Sequence, residues 1–398
     1  MRPRLTRSTL AVGAILAVAL ALRLVEVKRT EYRPINDAGT YLVLASQIDH
    51  SGNYSNSHAP GIGAGGTRGP SAYFPPGYPY FLAAVDLLDG HTSVHRVGGH
   101  NRIPSGAVHG ARISQALLGT VTVALVGLVA LEGLGALIGL IALIMAAIYP
   151  VFIGLSGTIV AENLATPLIL AAIWAVLRAR RSPHPLRWLA GAGVLEGLAT
   201  LTHVNALVVV PLLALAWPLR AAAPAEPARW RALAPSGLLI GCVVLTLVPW
   251  LVRDAVVMHR FVFVADEAGI TLRGTYNPAS AEDHPVPYKW RLYYGIPDDI
   301  PLARQAAQLT ETQLSDRLQS RAFDYIGHHL GSPFQVAYYN SRRLLETEGS
   351  VAWKASAKAI SLPEGMARVG VIGFWISCLL AIAGAFTRAA RAAWRWLW

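Results

Sequence analysis

Residues 111–153 read ARISQALLGTVTVALVGLVALEGLGALIGLIALIMAAIYPVFI, an apolar run long enough for two successive membrane crossings. A hydrocarbon core of ~30 Å takes about 20 apolar residues as a helix. On that measure the run divides into spans at 111–131 and 134–153. Working outward, further spans are expected near 8–26, 158–178, 188–203, 205–219, 233–252 and 367–387, eight in all. The composition agrees. Of 398 residues, 54% are hydrophobic and 14% charged, against roughly 25% charged in an ordinary soluble domain. Mean hydropathy is +0.42. That balance makes a soluble enzyme, a disordered tail and a secreted disulfide scaffold poor readings. The expected class is all-α, a polytopic integral membrane protein with about eight transmembrane helices.

Lys and Arg number 34 against 23 Asp and Glu, a formal charge of +11. The cations gather at the ends of apolar runs, so membrane lipids and insertion topology account for them, and nucleic acid is not an expected partner. Arg2, Arg4 and Arg7 precede the first span. Later clusters are Arg178, Arg180, Arg181 and Arg187, then Arg220, Arg229 and Arg231, then Arg388, Arg391 and Arg395. Counting spans forward, the positive-inside rule puts every cluster and both termini in the cytoplasm. Ala17-Val18-Ala19 also fits a signal-peptide cleavage site, which leaves the downstream orientation unchanged. Cys242 and Cys378 lie in apolar runs and imply neither a disulfide framework nor a metal site.

Two long segments, 27–110 and 253–366, are left facing outward. The expected organisation is a core over 1–252 that includes the outer loop 27–110, a second outer segment over 253–366, and a final span with a basic tail over 367–398. The second segment reads as largely helical beyond Pro301, with Leu309, Leu314, Leu318, Phe323 and Ile326 at helical spacing.

Residues 36–52, NDAGTYLVLASQIDHSG, place Ala38, Tyr41, Leu42, Ala45 and Ile48 on one helical face, which predicts a helix along the membrane surface. Asn36 or Asp37 caps its start and Gly52 ends it. A second helix is expected within 73–90, after the turn Pro75-Pro76-Gly77, and 53–72 reads as a Gly/Ser-rich loop. Asp37 has two compatible readings. One is a helix cap, worth ~1 kcal/mol. The other is a carboxylate at the membrane surface that accepts a proton from a bound hydroxyl.

Several features then fall in one order. Asp37-Ala-Gly-Thr-Tyr41 follows the first span, Ser-Gly-Asn-Tyr occupies 51–54, and Pro-Pro-Gly-Tyr-Pro occupies 75–79. Ala161-Glu162-Asn163 opens the fourth span, Leu201-Thr202-His203 closes a Gly-rich one, Pro249-Trp250-Leu-Val-Arg253-Asp254 leaves the seventh, and Gly274-Thr-Tyr-Asn277-Pro278 follows. Over about residues 8–280 the chain resembles the dolichyl-phosphate-mannose protein mannosyltransferase and aminoarabinose transferase superfamily, the GT-C glycosyltransferases. It departs from that pattern where a second acid is usual, at Ala38, and where Arg and Asn are usual, at His203 and Asp254.

The resemblance implies a polyprenyl-phosphate sugar donor, a glycan, lipid or protein acceptor, and inversion at the anomeric carbon on the outer face. A carboxylate must take the acceptor proton and cations must stabilise the departing phosphate. Asp37 is the expected catalytic base. Arg253, His203, Lys28, Arg29, Lys289 and Arg291 are the expected phosphate or lipid contacts, although Arg253 reads equally as an interfacial arginine and Lys289 and Arg291 as a solvated loop. Glu162, Tyr41, Tyr78 and Asn277 are expected at the sugar or acceptor. His50, His58, His91, His95, His100 and His109 form no zinc spacing. No cofactor is assigned, and a divalent metal is left open. A lipid-linked-sugar flippase and a non-catalytic scaffold of the same fold are the rival readings. Large outer segments and the lack of an internal repeat weigh against the flippase. The Ala, Arg and Gly richness suggests a bacterial inner membrane.

Overall fold

The computed structural model describes residues 7–55, 66–89, 94–97, 100–217 and 229–387. Arg2, Arg4, His58, His91, Arg220, the arginines from Arg388 onward and the middle of the 53–72 loop lie outside the described residues. In chain order the helices begin with α1 (Arg7–Arg29), α2 (Asp37–Ser51) and α3 (Gly77–Asp89). A two-stranded antiparallel hairpin follows, β1 (His95–Val97) and β2 (His100–Arg102). Then come α4 (Ser105–Leu134), α5 (Ala136–Ile148), α6 (Pro150–Leu155), α7 (Glu162–Ala179), α8 (Pro185–Thr202), α9 (Val209–Ala216) and α10 (Arg229–Val257). The remainder is α11 (Ala268–Thr275), α12 (Pro278–Ala281), α13 (Ile300–Gln305), α14 (Glu311–His328), α15 (Ser332–Leu344), α16 (Ser350–Ala359) and α17 (Glu364–Ala385).

Five stretches among the described helices are long and apolar enough to cross a bilayer: Thr9–Arg29, Ser105–Leu134, Glu162–Ala179, Leu233–Val257 and Glu364–Ala385. They correspond to five of the eight expected spans. The other three fall on helices that are either shorter or, for α8, as long as α7 but less apolar. The 134–153 run is broken into α5 and α6, the 188–203 run is α8, and the 205–219 run starts as a 3₁₀ turn before α9.

Proline explains the first break. A residue before proline is pushed out of the helical region, and Tyr149 sits at φ −66°, ψ 120°. Pro150 also offers no N–H to the Ala146 carbonyl. Arg23, fully buried in α1, supplies donors instead. Its Nη2 lies 3.4 Å from Ala146 O, and its Nη1 lies 3.3 Å from Ala147 O and 2.9 Å from Ala19 O. A guanidinium in an apolar helix is costly unless hydrogen-bonded, and here it satisfies carbonyls that a helix break exposes. Ala19, Val123, Leu143, Ala146 and Ala147 form the buried cluster beside it.

The contacts divide the chain into two units. The first takes Met1–Tyr32, Arg112–Pro249 and Gly365–Trp398; the second takes Arg33–Ala111 and Trp250–Glu364. In the first, α7 packs along α8, and α8 meets α10 closely at Gly193, where an added Cβ would come within 2.7 Å of Cys242 Cβ. Arg112 donates to Gly157 O (2.7 Å) and Thr30 Oγ1 (2.5 Å). Arg178 and Arg181 both reach Glu132, at 3.0 and 2.9 Å, within the basic 178–187 segment. Glu196 of α8 is fully buried, and neither carboxylate oxygen has a hydrogen-bond partner among the described residues.

In the second unit, α2 packs on α3 and α11 packs on α14. The first outer segment thus groups with the second outer segment rather than with the apolar helices. A strap over 66–75 joins them. Glu311, buried at the start of α14, accepts from Ala72 N (2.6 Å) and Ser71 Oγ (2.8 Å), and Arg68 N donates to Leu309 O (2.8 Å). Asp266 N donates to Ala72 O at 2.7 Å. Thr310 and Gln313 form a capping box on α14, and Leu314 and Leu318 turn inward while Phe323 is exposed.

Candidate active site

Asn36 stands at φ 52°, a left-handed conformation that Asn tolerates better than most residues. Its side chain donates to Ala359 O at 3.1 Å, and its carbonyl accepts the first helical bond from Thr40 N. Asp37 is therefore the first residue of α2, exposed and at the positive end of the helix dipole, where a carboxylate is favoured. Gly52 ends the helix in the left-handed region at φ 64°, as its sequence predicts.

Asp37 opens into a cavity of about 580 Å³ whose lining includes Tyr73, Glu267, Lys289, Trp290 and Arg343. Glu267 immediately precedes α11. Burial, and then the negative charge of Asp37, push its carboxyl up to about 7. The Tyr73 hydroxyl is raised well above the usual phenol range by burial, then by the charges of Glu267 and Asp37. Near neutral pH the cavity thus holds a Tyr hydroxyl donor, a carboxylate at Asp37 and a carboxyl at Glu267 shared between its two forms. Lys289 is exposed; its backbone N–H donates to Val286 O at 3.1 Å, while its ammonium makes no hydrogen bond or ion pair among the described residues. Arg343 is engaged, with Nε 2.6 Å from Glu348 Oε2 and its Nη2 donating to Pro287 O.

Of the residues expected from sequence, Asp37 and Lys289 come together in this cavity. Arg253 does not line it. Its Nη1 donates to Ser71 O (2.6 Å) and Asp254 Oδ1 (2.7 Å), its Nη2 to Tyr54 O (3.3 Å), and its guanidinium sits 4.6 Å from the Trp250 ring centroid. It borders a separate cavity of about 590 Å³ with Tyr54, Tyr80 and Val257. Arg291 pairs with Asp283 at 2.5 Å. Its place on Gly274, through Arg291 N to Gly274 O at 3.0 Å, makes it part of the loop framework.

Three residues expected at the sugar lie away from the Asp37 cavity, buried in the fold. Tyr41 and Tyr78 form an edge-on aromatic pair at 4.8 Å beneath α2, and Tyr41 also packs on Phe74 at 4.7 Å. Asn277 is fully buried, donating to Arg273 O (2.8 Å) and accepting from Ser280 N (2.8 Å) as the cap of α12. These side chains are occupied by the fold and do not line the Asp37 cavity. In the first unit, Lys28 and Arg29 are exposed in the last turn of α1, and His203 Nε2 lies 3.8 Å from Glu162 Oε1. Sequence reading passed over Glu267, Tyr73 and Arg343. The one local signal for Glu267 is an acidic pair, Asp266-Glu267, just before a short helix. Among the described residues no group of three or more His, Cys, Asp or Glu is placed to hold a metal ion.

Helices long and apolar enough to cross a bilayer, with helical segments outside them, make this a polytopic helical membrane protein, and its fold is similar to that of GT-C glycosyltransferases. The oligosaccharyltransferase of Archaeoglobus fulgidus, tethered to an acceptor peptide, aligns with 95% of this chain at TM-score 0.50 and 14% identity. Residues 101–252 match the family model of dolichyl-phosphate-mannose-protein mannosyltransferases, and the chain is similar to that family. The S. cerevisiae O-mannosyltransferase complex Pmt1–Pmt2, bound to its sugar donor, aligns with 62% of the chain (TM-score 0.48, 19% identity). ArnT from Cupriavidus metallidurans, bound to undecaprenyl phosphate, aligns with 97% (TM-score 0.45, 15% identity). The alignments cover 38% of the archaeal chain, 34% of the yeast chain and 75% of ArnT. No curated protein matches the chain in sequence.

Proposed function

We propose that this protein is an inverting glycosyltransferase that moves a sugar from a polyprenyl-phosphate donor to an acceptor hydroxyl at the extracytoplasmic face of a bacterial inner membrane. The observation that carries the reading is an exposed carboxylate, Asp37, at the mouth of a cavity it shares with Glu267 and Lys289. The family description, which names a dolichyl-phosphate sugar, supports a donor of the polyprenyl-phosphate class.

The acceptor oxygen attacks the anomeric carbon as the bond from that carbon to the phosphate oxygen breaks. The acceptor proton passes to the Asp37 carboxylate, and polyprenyl phosphate leaves with the bonding electrons. Glu267 in its protonated form donates a hydrogen bond and adds no second negative charge beside the base. Lys289 faces the developing phosphate charge, a role for which a cation without a competing carboxylate is suited. Arg253, Lys28, Arg29 and the Glu162–His203 pair are kept as contacts for lipid or phosphate outside the proton-transfer step.

Asp37→Asn tests the assignment. Purified protein supplied with polyprenyl-phosphate mannose and a glycan acceptor should release polyprenyl phosphate. The Asn variant should lose about 10²–10⁴ in rate, the usual worth of a general base, and still bind donor. Turnover equal to wild type in the Asn variant would remove Asp37 from the reaction. Lipid movement across vesicles without sugar transfer would favour the flippase, and neither activity would favour the scaffold.

A further inference from the structure

The second unit contains another cavity, of about 380 Å³, whose lining includes Arg273, Asp298, Arg321, Tyr325, His328 and His329. We infer that it is a subsite for a sugar residue of an oligosaccharide acceptor, adjoining the Asp37 cavity; this rests on the transfer reaction proposed above and names the acceptor class.

The chemistry of the lining selects the ligand. Asp299, fully buried, holds both guanidinium groups in place, 2.7 Å from Arg273 Nε and 2.5 Å from Arg321 Nη1. Asp298 stands 3.9 Å from Arg273, and Asp324 also borders the cavity. Two guanidinium groups face three carboxylates, so there is no excess positive charge to hold a phosphate. Pro278 and the Tyr325 ring provide too little apolar surface for a lipid chain. A neutral polyhydroxyl compound meets both conditions.

The histidines add acceptors. Nδ1 of His328 lies 2.8 Å from Asp324 O, and Nδ1 of His329 lies 2.9 Å from Tyr325 O. A carbonyl only accepts, so in each neutral ring Nδ1 carries the proton and Nε2 is left as an acceptor. Sugar hydroxyls both donate and accept, and so can bridge carboxylates, Nε2 atoms and guanidinium N–H groups at once. Tyr325 and His329 stack with centroids 4.2 Å apart, which stiffens the aromatic side of the site.

The two cavities adjoin. Tyr288 lines the Asp37 cavity and Tyr325 lines the second, close enough for the Tyr325 phenol to act on the ionisation of Tyr288. The Tyr288 hydroxyl donates to Gln335 Oε1 at 2.5 Å, which fixes its side of the dividing wall. A saccharide passing over this wall would present one hydroxyl to Asp37 while a following ring sits among Arg321, Asp324 and His328.

The test is equilibrium binding of α-mannotriose and of methyl α-mannoside to the full-length protein in nanodiscs, by saturation-transfer NMR and calorimetry. Asp324 and His328 have side chains 76% and 74% exposed, so Asp324→Ala/His328→Ala should fold normally, with thermal unfolding as the control. Wild type should bind the trisaccharide more tightly than the monosaccharide. The double variant should lose about tenfold in trisaccharide affinity with no change for the monosaccharide. Trisaccharide binding unchanged in the double variant, or no tighter than the monosaccharide in wild type, would overturn the subsite. So would displacement of the trisaccharide by a Ser/Thr-containing peptide. Asp37→Asn should keep trisaccharide binding. If wild type binds the trisaccharide through Asp324 and His328 yet releases no polyprenyl phosphate, the transfer reading fails while the subsite stands.

Discussion

At Glu267, burial and the neighbouring Asp37 charge act in one direction, both opposing ionisation, and the carboxyl titrates near 7 in place of its ordinary 4.5. Below about 7 it carries a proton, and above it a second negative charge enters the cavity. If the protonated form supports transfer, the rate should fall as pH rises through about 7. Glu267→Gln, which keeps a donor and cannot ionise, should lack that fall; an unchanged pH profile in the Gln variant would exclude Glu267 from the reaction. Stability should follow the same sign. Between 4.5 and about 7 the folded chain holds a proton that the unfolded chain has released, so the unfolding temperature should decline across that interval and decline less in the Gln variant. Asp37 was readable from sequence because a helix start is a local pattern. Glu267 was not, because its importance lies in a carboxylate far away in the chain.

Among elements, the break between α5 and α6 joins a sequence feature to a tertiary one. Pro150 dictates the break, but nothing local says that Arg23 answers it. Arg23→Met should cost about 1–3 kcal/mol by leaving buried carbonyls unpaired, reduced by whatever desolvation the guanidinium had suffered. In a Pro150→Ala background the restored N–H can pair with Ala146 O, so the same change should cost less. Unfolding in detergent of the two single variants and the double variant measures the coupling, and additive costs would show that Arg23 does not serve the break. A second close approach positions Glu267 itself. A Cβ on Gly269 would come within 2.7 Å of backbone atoms of Ser315, on α14. Gly269→Ala should therefore push α11 off α14, at about 1–3 kcal/mol, and should also shift the pH midpoint of activity. A variant as stable as wild type, with the same midpoint, would show that the contact yields freely.

For the whole molecule, the arginine-bearing segments predict one orientation. Ser356 lines the Asp37 cavity and is exposed, whereas Cys242 and Cys378 are only partly so. In a Cys242→Ala/Cys378→Ala background, Ser356→Cys should react with a membrane-impermeant maleimide on intact cells. Labelling only after permeabilisation would put the cavity in the cytoplasm and reverse the topology.

Composition and period by themselves determined that this chain lives in a membrane, where its long apolar helices run, and that a helix starts at Asp37 and stops at Gly52; that this helix is buried over Ala38–Ser46, rather than on one face only, was not in the period. Those properties depend on the free energy of moving single residues from water to hydrocarbon and on hydrogen bonds a few residues long. Tertiary structure alone decided which polar groups meet. Arg253, read as a phosphate ligand, is held by the carbonyls of Tyr54 and Ser71; Tyr41, Tyr78 and Asn277 are used up in packing and capping; and Glu267 arrives beside Asp37. Contacts of that kind depend on how distant segments share buried space, where one unpaired polar group costs as much as many local preferences supply.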